Sequence, residues 1–202
     1  MGLMCDPPFG LGQTLGVTTT NDSLVGISGT YGDNWVGATK EFTDVNPVTG
    51  KVRSNRRKVC IAVRNTSSVA LLPKRVVSFA AGSFTVTDGY ANTANAEVVG
   101  VVDEYLPASG VAVNDVFWVT VDGPTEVSVA LSGTNVAVGD RLGVVTAAAS
   151  TSTTAGRVGP LSVTGASTAS VDHTIPLGYI GRACSTGATT GAAVLAVVRT
   201  RA

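Results

Sequence analysis

Short runs rich in β-branched residues recur along this chain, and most are closed by Gly, Asn or Asp. The run KVCIAVR (residues 58–64) places Val59, Ile61 and Val63 on one face of an extended strand, because side chains alternate along a strand. RVVSF (residues 75–79) and EVVGVVD (residues 97–103) are runs of the same kind. No amphipathic pattern is longer than two helical turns. The pattern predicts an all-β protein, a small β-barrel or β-sandwich domain.

Turn-forming residues separate these runs. DVNPVTG (residues 44–50) has the Pro and Gly spacing of a tight turn. Asp88-Gly89 lies between FTVT and YANT, and Asp122-Gly123-Pro124 lies between VFWVTV and TEVSVA. Because Asp-Gly favours two-residue hairpin loops, both sites are predicted to be hairpin turns.

One phrase occurs twice, as VAVNDVFWV (residues 111–119) and VAVGDRLGV (residues 136–144). In each copy the end of a short strand meets Asn114-Asp115 or Gly139-Asp140, and Asn, Asp and Gly tolerate the dihedral angles of a sharp turn. A strand is predicted to leave each turn toward the core. Either a duplicated hairpin or convergence on the same turn chemistry explains the similarity.

The first 40 residues differ from the rest of the chain. They are rich in Gly, Thr and Asn and have no sustained period of two or 3.6 residues. Such a segment is stable only when it packs against something else, and Phe9, Leu11 and Trp35 are suitable apolar anchors. We therefore expect an extended N-terminal arm over residues 1–40 and a β-rich domain over residues 41–202.

The composition favours a protein that packs against other proteins. Only 14% of the residues are charged, and 14 basic and 14 acidic side chains cancel. Low charge leaves little repulsion between copies, and the absence of a net basic field argues against general nucleic-acid binding. No stretch approaches the ~18 apolar residues of a transmembrane helix. Three widely spaced cysteines, Cys5, Cys60 and Cys184, are typical of reduced thiols in a protein made in a cytosol.

Catalytic constellations are scarce. The single histidine, His173, has Asp172 as its neighbour, but adjacent side chains on an extended segment point to opposite faces. Asp103-Glu104 is interpreted as a pair at the end of a strand that faces solvent. No Cys and His cluster has the spacing of a zinc site, and no phosphate-binding glycine motif occurs. We therefore expect no enzyme activity, no cofactor and no metal site.

Basic residues are concentrated early in the chain. Nine of the 14 lie between residues 40 and 75, most densely in KVRSNRRK (residues 51–58). This stretch is interpreted as a loop that docks on an acidic patch of a partner. The alternative is a solvated loop whose charges are balanced by the later acidic strands. The candidate partner interface comprises the basic residues and the apolar anchors of the arm: Lys51, Arg53, Arg56, Arg57, Lys58, Phe9, Leu11 and Trp35.

The organisation of the chain resembles the capsid decoration, or cement, proteins of tailed bacteriophages. The resemblance rests on VVGVVDEYLPASGVAVNDVFWVTVDGPTEV, on VAVGDRLGVVTAAASTSTTAGRV and on IPLGYIGRACSTGATTGAAVLAVVR. It implies a barrel-like β domain on the outside of a capsid, often in trimers, that clamps neighbouring subunits of the major capsid protein. It further implies a virion location on the capsid surface, after synthesis in the host cytoplasm. From the hydropathy and the charge balance, we expect neither a membrane nor nucleic acid as a partner.

Three other functions compete with this expectation. A phage tail, fibre or head-spike component with a receptor- or carbohydrate-binding role would need a solvent-facing aromatic cluster, for which Trp35, Trp118 and a few Tyr are available. A hydrolase would have to use His173 or Asp residues. A nucleic-acid-binding protein would use residues 51–58 and would lose its ligand at moderate salt.

Overall fold

The computed structural model describes residues 7–16, 35–80, 86–90, 98–130, 135–144, 155–161 and 179–200. Within these ranges the regular structure is almost entirely β-strand and no α-helix occurs, so the predicted all-β class is confirmed. The strands are β1 (Thr14–Leu15), β2 (Thr39–Val45), β3 (Val52–Asn65), β4 (Val76–Phe79), β5 (Val86–Tyr90), β6 (Val98–Val102), β7 (Val116–Ser128), β8 (Arg141–Val144), β9 (Val158–Pro160), β10 (Tyr179–Ala183) and β11 (Ala193–Arg199).

Five strands close into a first ring. Their order is β3-β5-β4-β6-β7, and β3 also pairs with β7, which joins the two ends. Closure leaves no free edge in the ring, as in a barrel, whereas a sandwich would have two separate sheets. Apolar side chains from β3, β4, β6 and β7 and from the loops at one end fill the interior, with Tyr90 of β5 partly buried against them: Val63, Leu71, Val77, Val99, Val102, Leu106, Val111, Phe117 and Val119.

A second ring shares β7 with the first. β7 is long enough for both, because its first half pairs with β3 and β6 and its second half pairs with β11. The order continues β11-β10-β8-β9, and a parallel bridge between Val129 and Val158 returns the ring to the end of β7. The core of the second ring also takes in the outer faces of β4 and β6 through Val76, Val98 and Val101. The two rings therefore form one continuous structure.

Four turns share one hydrogen-bonding arrangement. In each turn, a residue with positive φ donates its N–H to the carbonyl of a residue at the end of a strand. The N–H of that strand-end residue in return donates to the carbonyl of the turn residue that follows the one with positive φ. Positive φ is costly for most side chains but not for Gly, and Asn tolerates it better than most. The turns and the residues they hold are Lys74-Arg75 with Val102, Asn114-Asp115 with Asn65, Gly139-Asp140 with Ala183, and Gly191-Ala192 with Val129.

These turns show that the two rings repeat one plan. In the first ring the chain passes from the end of β3 through β4, β5 and β6 to β7; in the second it passes from the end of β7 through β8, β9 and β10 to β11. A reciprocal backbone pair stabilises each ring at the same place, Leu71 with Val111 and Val136 with Gly187. The chain is a structural tandem repeat in which β7 belongs to both copies.

The repeated Val-Ala-Val phrase does not follow this repeat. The predicted sharp turns are present at Asn114-Asp115 and Gly139-Asp140, and a strand follows each. The first phrase, however, leads into β7, the last strand of the first ring, whereas the second leads into β8, which corresponds to β4. The counterpart of the second phrase is therefore LLPKRVV (residues 71–77), and the two similar phrases are one turn used at two different positions.

Both Asp-Gly hairpin predictions are wrong. β7 continues through Asp122-Gly123-Pro124 and pairs there with β11. Gly123 has φ +108°, and a Cβ there would lie 2.4 Å from the carbonyl oxygen of Arg57, so this glycine permits a bend and a close backbone approach rather than a turn. Asp88-Gly89 lies inside β5, opposite a register shift in its pairing with β4. Glycine inside a strand commonly marks such irregularities.

The described part of the N-terminal arm packs on the first ring. β1 pairs with the start of β7, Phe9 stacks on Trp118 with ring centroids 4.8 Å apart, and the indole N–H of Trp118 donates to the carbonyl of Phe9 at 3.2 Å. This third cluster covers the outer face of β3 and β7 and buries Phe9, Leu11, Cys60, Ala62, Val116 and Trp118. The apolar anchors therefore pack against their own chain. The predicted boundary after residue 40 falls inside β2.

Candidate partner-binding hairpin and its buried ionic anchor

The basic stretch is part of a hairpin made by β2 and the first half of β3, residues 39–58, here called the basic hairpin. The predicted turn at its tip is present. The side chain of Asn46 accepts the N–H groups of Val48 and Thr49 at 2.9 and 3.1 Å, and the N–H of Asn46 donates to the carbonyl of Lys51 at 3.0 Å. Gly50 has φ +68°, which favours glycine. The tip therefore has a defined conformation.

The hairpin divides the basic residues into two sets. Lys51, Arg56 and Arg57 are exposed, and Arg57 makes a surface ion pair of 2.7 Å with Glu41. Arg53 and Lys58 turn inward, and the side chain of Lys58 is only 1% exposed. The pairing of β2 with β3 shifts register between Thr43 and Val45, and such an irregularity changes the face toward which the following side chains point, so a run of like charges need not lie on one surface.

The two inward-facing cations, Arg53 and Lys58, form ion pairs with Glu104. Glu104 lies two residues after the end of the buried strand β6. Its carboxylate accepts hydrogen bonds from the Arg53 guanidinium at 2.8 and 2.9 Å and from the Lys58 ammonium. The backbone N–H of Glu126 donates to the same carboxylate at 3.2 Å. Such a carboxylate is saturated by donors, and it fixes the hairpin to both β6 and β7.

Asp44 joins the cluster from the hairpin itself. It is fully buried and accepts hydrogen bonds from Arg53 at 2.7 Å and from the hydroxyl of Ser54 at 2.7 Å. The ammonium of Lys58 lies 4.0 Å from it. Arg53 thus bridges two carboxylates, one within the hairpin and one beyond it, in the forked geometry that suits guanidinium.

Asp103 links the cluster to the N-terminal segment. One carboxylate oxygen accepts the N–H of Gly12, and the other accepts the N–H of Tyr105 at 3.1 Å. The Lys58 ammonium lies 4.9 Å from the centre of the Tyr105 ring, a cation–π contact. We call Asp44, Arg53, Lys58, Asp103 and Glu104 the ionic anchor, because together they hold the basic hairpin, the loop after β6 and the N-terminal segment in place.

The ionic anchor shifts the titration of its members. Burial alone raises the pKa of Glu104, but the hydrogen bonds from Arg53 and the charge of Lys58 outweigh it, so the pKa lies below its ordinary value. Burial raises the pKa of Asp103, and the N–H groups of Gly12 and Tyr105 only partly offset this. These directions follow from the number of donors: cations and N–H groups surround Glu104, whereas Asp103 has mainly two backbone donors.

The acidic pair therefore differs from its sequence-based interpretation. Asp103 and Glu104 were expected to face solvent at the end of a strand, yet they are only 1% and 7% exposed. Their oxygens are occupied by hydrogen bonds within the chain. Among the described residues no group of three or more His, Cys, Asp and Glu is placed to hold a metal ion. His173 and Asp172 lie outside the described residues.

The residues of the candidate interface differ in their burial and do not form one surface. Phe9 and Leu11 are buried in the third cluster, and Trp35 is half-buried against it. Arg53 and Lys58 belong to the ionic anchor, so Lys58 is not a surface charge. Lys51, Arg56 and Arg57 remain on the surface of the basic hairpin. The alternative, in which later acidic residues balance the charges of the basic stretch, therefore holds for Arg53 and Lys58, which pair with Glu104. It does not hold for the three exposed basic residues.

The two cysteines in the described part of the chain have different surroundings. Cys60 is buried beside the hydroxyl of Thr120, and burial raises the pKa of its thiol to about 12. Cys184 is exposed just after β10. A buried thiol with a raised pKa carries almost no thiolate at neutral pH, so Cys60 is a packing residue.

Comparison of the sequence with models of known protein families finds no match, and no curated protein matches it. The part of the chain that the structure describes contains no helix that is long and apolar enough to span a membrane.

Proposed function

We propose that this protein is a structural virion protein that binds the outside of a bacteriophage capsid and stabilises contacts between major capsid subunits. The observation that carries the proposal is the basic hairpin, an exposed element with a defined conformation that the ionic anchor fixes both beside the tip, through Asp44 and Arg53, and at Lys58. The resemblance to decoration proteins adds the class of partner. The role is one of binding, without catalysis.

The tip of the basic hairpin has the surface of a binding element. Val48 and Val52 are 84% and 57% exposed. Lys51 directly precedes Val52, Arg56 follows it four residues later, and both basic side chains are exposed. Apolar side chains exposed beside basic ones suit a partner surface with an apolar patch and acidic neighbours. Since the ionic anchor already orders the hairpin, little conformational entropy remains to be lost on binding.

A capsid partner also suits the low charge of the chain. With charged residues at 14%, broad contacts can form from many modest apolar and polar interactions with few charges to desolvate. A lattice repeats such contacts, so a weak single contact becomes strong retention. We propose homo-oligomers, with a trimer favoured, on the capsid surface after synthesis in the host cytoplasm, and we propose neither a membrane nor nucleic acid as a partner.

Charge reversal on the hairpin tests this function. Lys51→Glu combined with Arg56→Glu is expected to weaken binding to phage heads that lack the protein by about tenfold or more at low salt, because both side chains would face an acidic surface. Binding is measured by co-sedimentation of the purified protein with heads. Arg141→Glu combined with Arg182→Glu, at paired exposed positions on β8 and β10, makes the same change in net charge; this matched control should bind like the wild type.

Three results would contradict the proposal. Wild-type protein that stays in the supernatant would exclude a capsid as partner. Binding by the double variant that equals the wild type would remove the hairpin from the interface. Retardation of DNA by the wild type, lost in the double variant, would instead assign the hairpin to nucleic acid.

A further inference from the structure

The N-terminal segment passes directly beside the tip of the basic hairpin, and Gly12 is the residue at this contact. A Cβ atom on Gly12 would lie 3.7 Å from Cγ of Pro47, which belongs to the tip. The same atom would lie 3.3 Å from the carbonyl oxygen of Tyr105, which belongs to the loop after β6. Gly12 therefore lies between the tip and this loop, in a space that would accommodate a side chain only if its surroundings moved.

Contacts outside the hairpin hold Gly12 in place. Its N–H donates to the carboxylate of Asp103, and its φ of +78° favours glycine. The preceding residue, Leu11, is buried in the third cluster, and Thr14 pairs with Phe117 of β7 two residues further along the chain. The backbone at Gly12 is therefore fixed to the first ring on both sides, and it can serve as a support for what lies against it.

The tip extends beyond the ionic anchor, whose Asp44 precedes it in the chain. Hydrogen bonds within the tip give it its shape: the N–H of Asn46 donates to the carbonyl of Lys51 at 3.0 Å, and the N–H of Gly50 donates to the carbonyl of Asn46 at 2.8 Å. Bonds within a turn define its conformation, but they do not fix its direction relative to the rest of the domain. The contact of Pro47 with the N-terminal segment contributes to fixing that direction.

We propose that the N-terminal segment positions the tip of the basic hairpin for binding, with Gly12 as the positioning residue. Gly12 acts through Pro47 and need not touch the partner itself. A tip held in one direction loses less conformational entropy on binding. A tip that spends only a third of its time in the binding conformation binds about three times more weakly. This inference rests on the proposed function, because it adds a support to the binding element assigned there.

Gly12→Ala is expected to loosen the tip in the free protein, because alanine is strained at this φ and would press on the carbonyl of Tyr105. The backbone amides of Asn46 and Gly50 should exchange their hydrogens about threefold faster or more, and binding to heads should weaken by about threefold or more. Exchange is measured residue by residue by NMR, and binding is measured by co-sedimentation.

Gly10→Ala is the matched control for this variant. It makes the same change in the same segment, but Gly10 does not have a positive φ. The atom nearest to a Cβ on Gly10 would be Oε1 of Gln13, at 3.8 Å, so a methyl group fits there without movement. Gly10→Ala should therefore exchange at the tip and bind heads like the wild type.

A double-mutant cycle tests whether Gly12 acts through Pro47. Pro47→Ala removes the ring carbon that faces Gly12, so it should also quicken exchange at the tip. If both residues act through one contact, the double variant should exchange about as fast as the faster of the two single variants. Exchange in the double variant that equals the full product of the two single effects would overturn the assignment of Gly12 as the residue that positions Pro47.

The possible outcomes separate the inference from the function on which it rests. Unchanged exchange at the tip of Gly12→Ala overturns the inference and leaves the capsid function standing. Faster exchange with unchanged binding to heads overturns it as well, because the direction of the tip would then not matter for binding. Failure of the wild type to bind heads overturns the proposed function and, with it, the role of Gly12 in binding. Circular dichroism and thermal unfolding of each variant establish that it is folded.

Discussion

Replacing Glu104 with alanine is expected to lower the free energy of unfolding by about 3–5 kcal/mol. The side chain of Lys58 is 1% exposed and has Glu104 as its closest carboxylate, so its charge would be left buried with only Asp44, at 4.0 Å, nearby. Arg53 would lose one of its two carboxylates as well. Urea unfolding followed by tryptophan fluorescence, to which the buried Trp118 contributes, measures the loss.

A surface pair of similar distance provides the control. Glu41 and Arg57 are 2.7 Å apart but 55% and 76% exposed, so Glu41→Ala is expected to cost less than about 1 kcal/mol. Equal losses in the two variants would contradict the assignment of the ionic anchor as a buried structural element.

The dependence on pH gives this prediction a second readout. Glu104 has a pKa below the ordinary 4.5 in the folded state, so its ionised form stabilises the fold above that value. The difference in stability between the wild type and Glu104→Gln should therefore be constant near neutral pH and shrink as the pH falls below 4.5 through the folded-state pKa. The raised pKa of Asp103 acts in the opposite direction, because ionised Asp103 destabilises the fold above its unfolded-state pKa. Burial, the largest cause of this shift, is common to both proteins and cancels in the difference, whereas the smaller repulsion between Asp103 and Glu104 is lost in Glu104→Gln.

Replacing Phe9 with alanine is expected to lower the free energy of unfolding by about 3–5 kcal/mol. Phe9 is 5% exposed and stacks on Trp118, and its loss would open the cluster that covers the outer face of β3 and β7. Pro8→Ala, at an exposed neighbouring position, should change stability by about 1 kcal/mol or less and serves as the control.

The Phe9 variant also decides what the N-terminal segment does. A loss as large as predicted means that residues 7–16 belong to the fold of their own chain. A loss below about 1 kcal/mol would mean that they contribute little to it, and Phe9 and Leu11 would then be available to a partner, as the sequence first indicated.

Much of the fold could be predicted from local pattern. The alternation of Val59, Ile61 and Val63 in β3 and the turns at Asn114 and Gly139 depend on neighbouring residues alone. The failures have a local cause as well, because Asp-Gly permits both a hairpin turn and an irregular strand. Long-range pairing decides between the two, and at Gly123 the close approach of the Arg57 backbone requires a strand.

The ionic anchor was harder to predict. KVRSNRRK is a single charged stretch in the sequence, but the irregular pairing of β3 with β2 and a carboxylate 46 residues away divide it between two faces. Two signals pointed toward the answer: an acidic pair directly after the apolar strand β6, and the scarcity of other charges that could balance the basic residues. Neither reveals that Lys58 is buried, because that depends on the closure of the first ring by β3 and β7.

The central claim, that the protein is a component of an assembled capsid, is tested most directly by its copy number on native phage heads. Heads are treated with DNase, washed at high salt, sedimented, and analysed by quantitative mass spectrometry against the major shell protein. The account predicts retention at a fixed stoichiometric ratio to that protein. Release into the wash, or a handful of copies per particle, would contradict it and favour a tail or spike component.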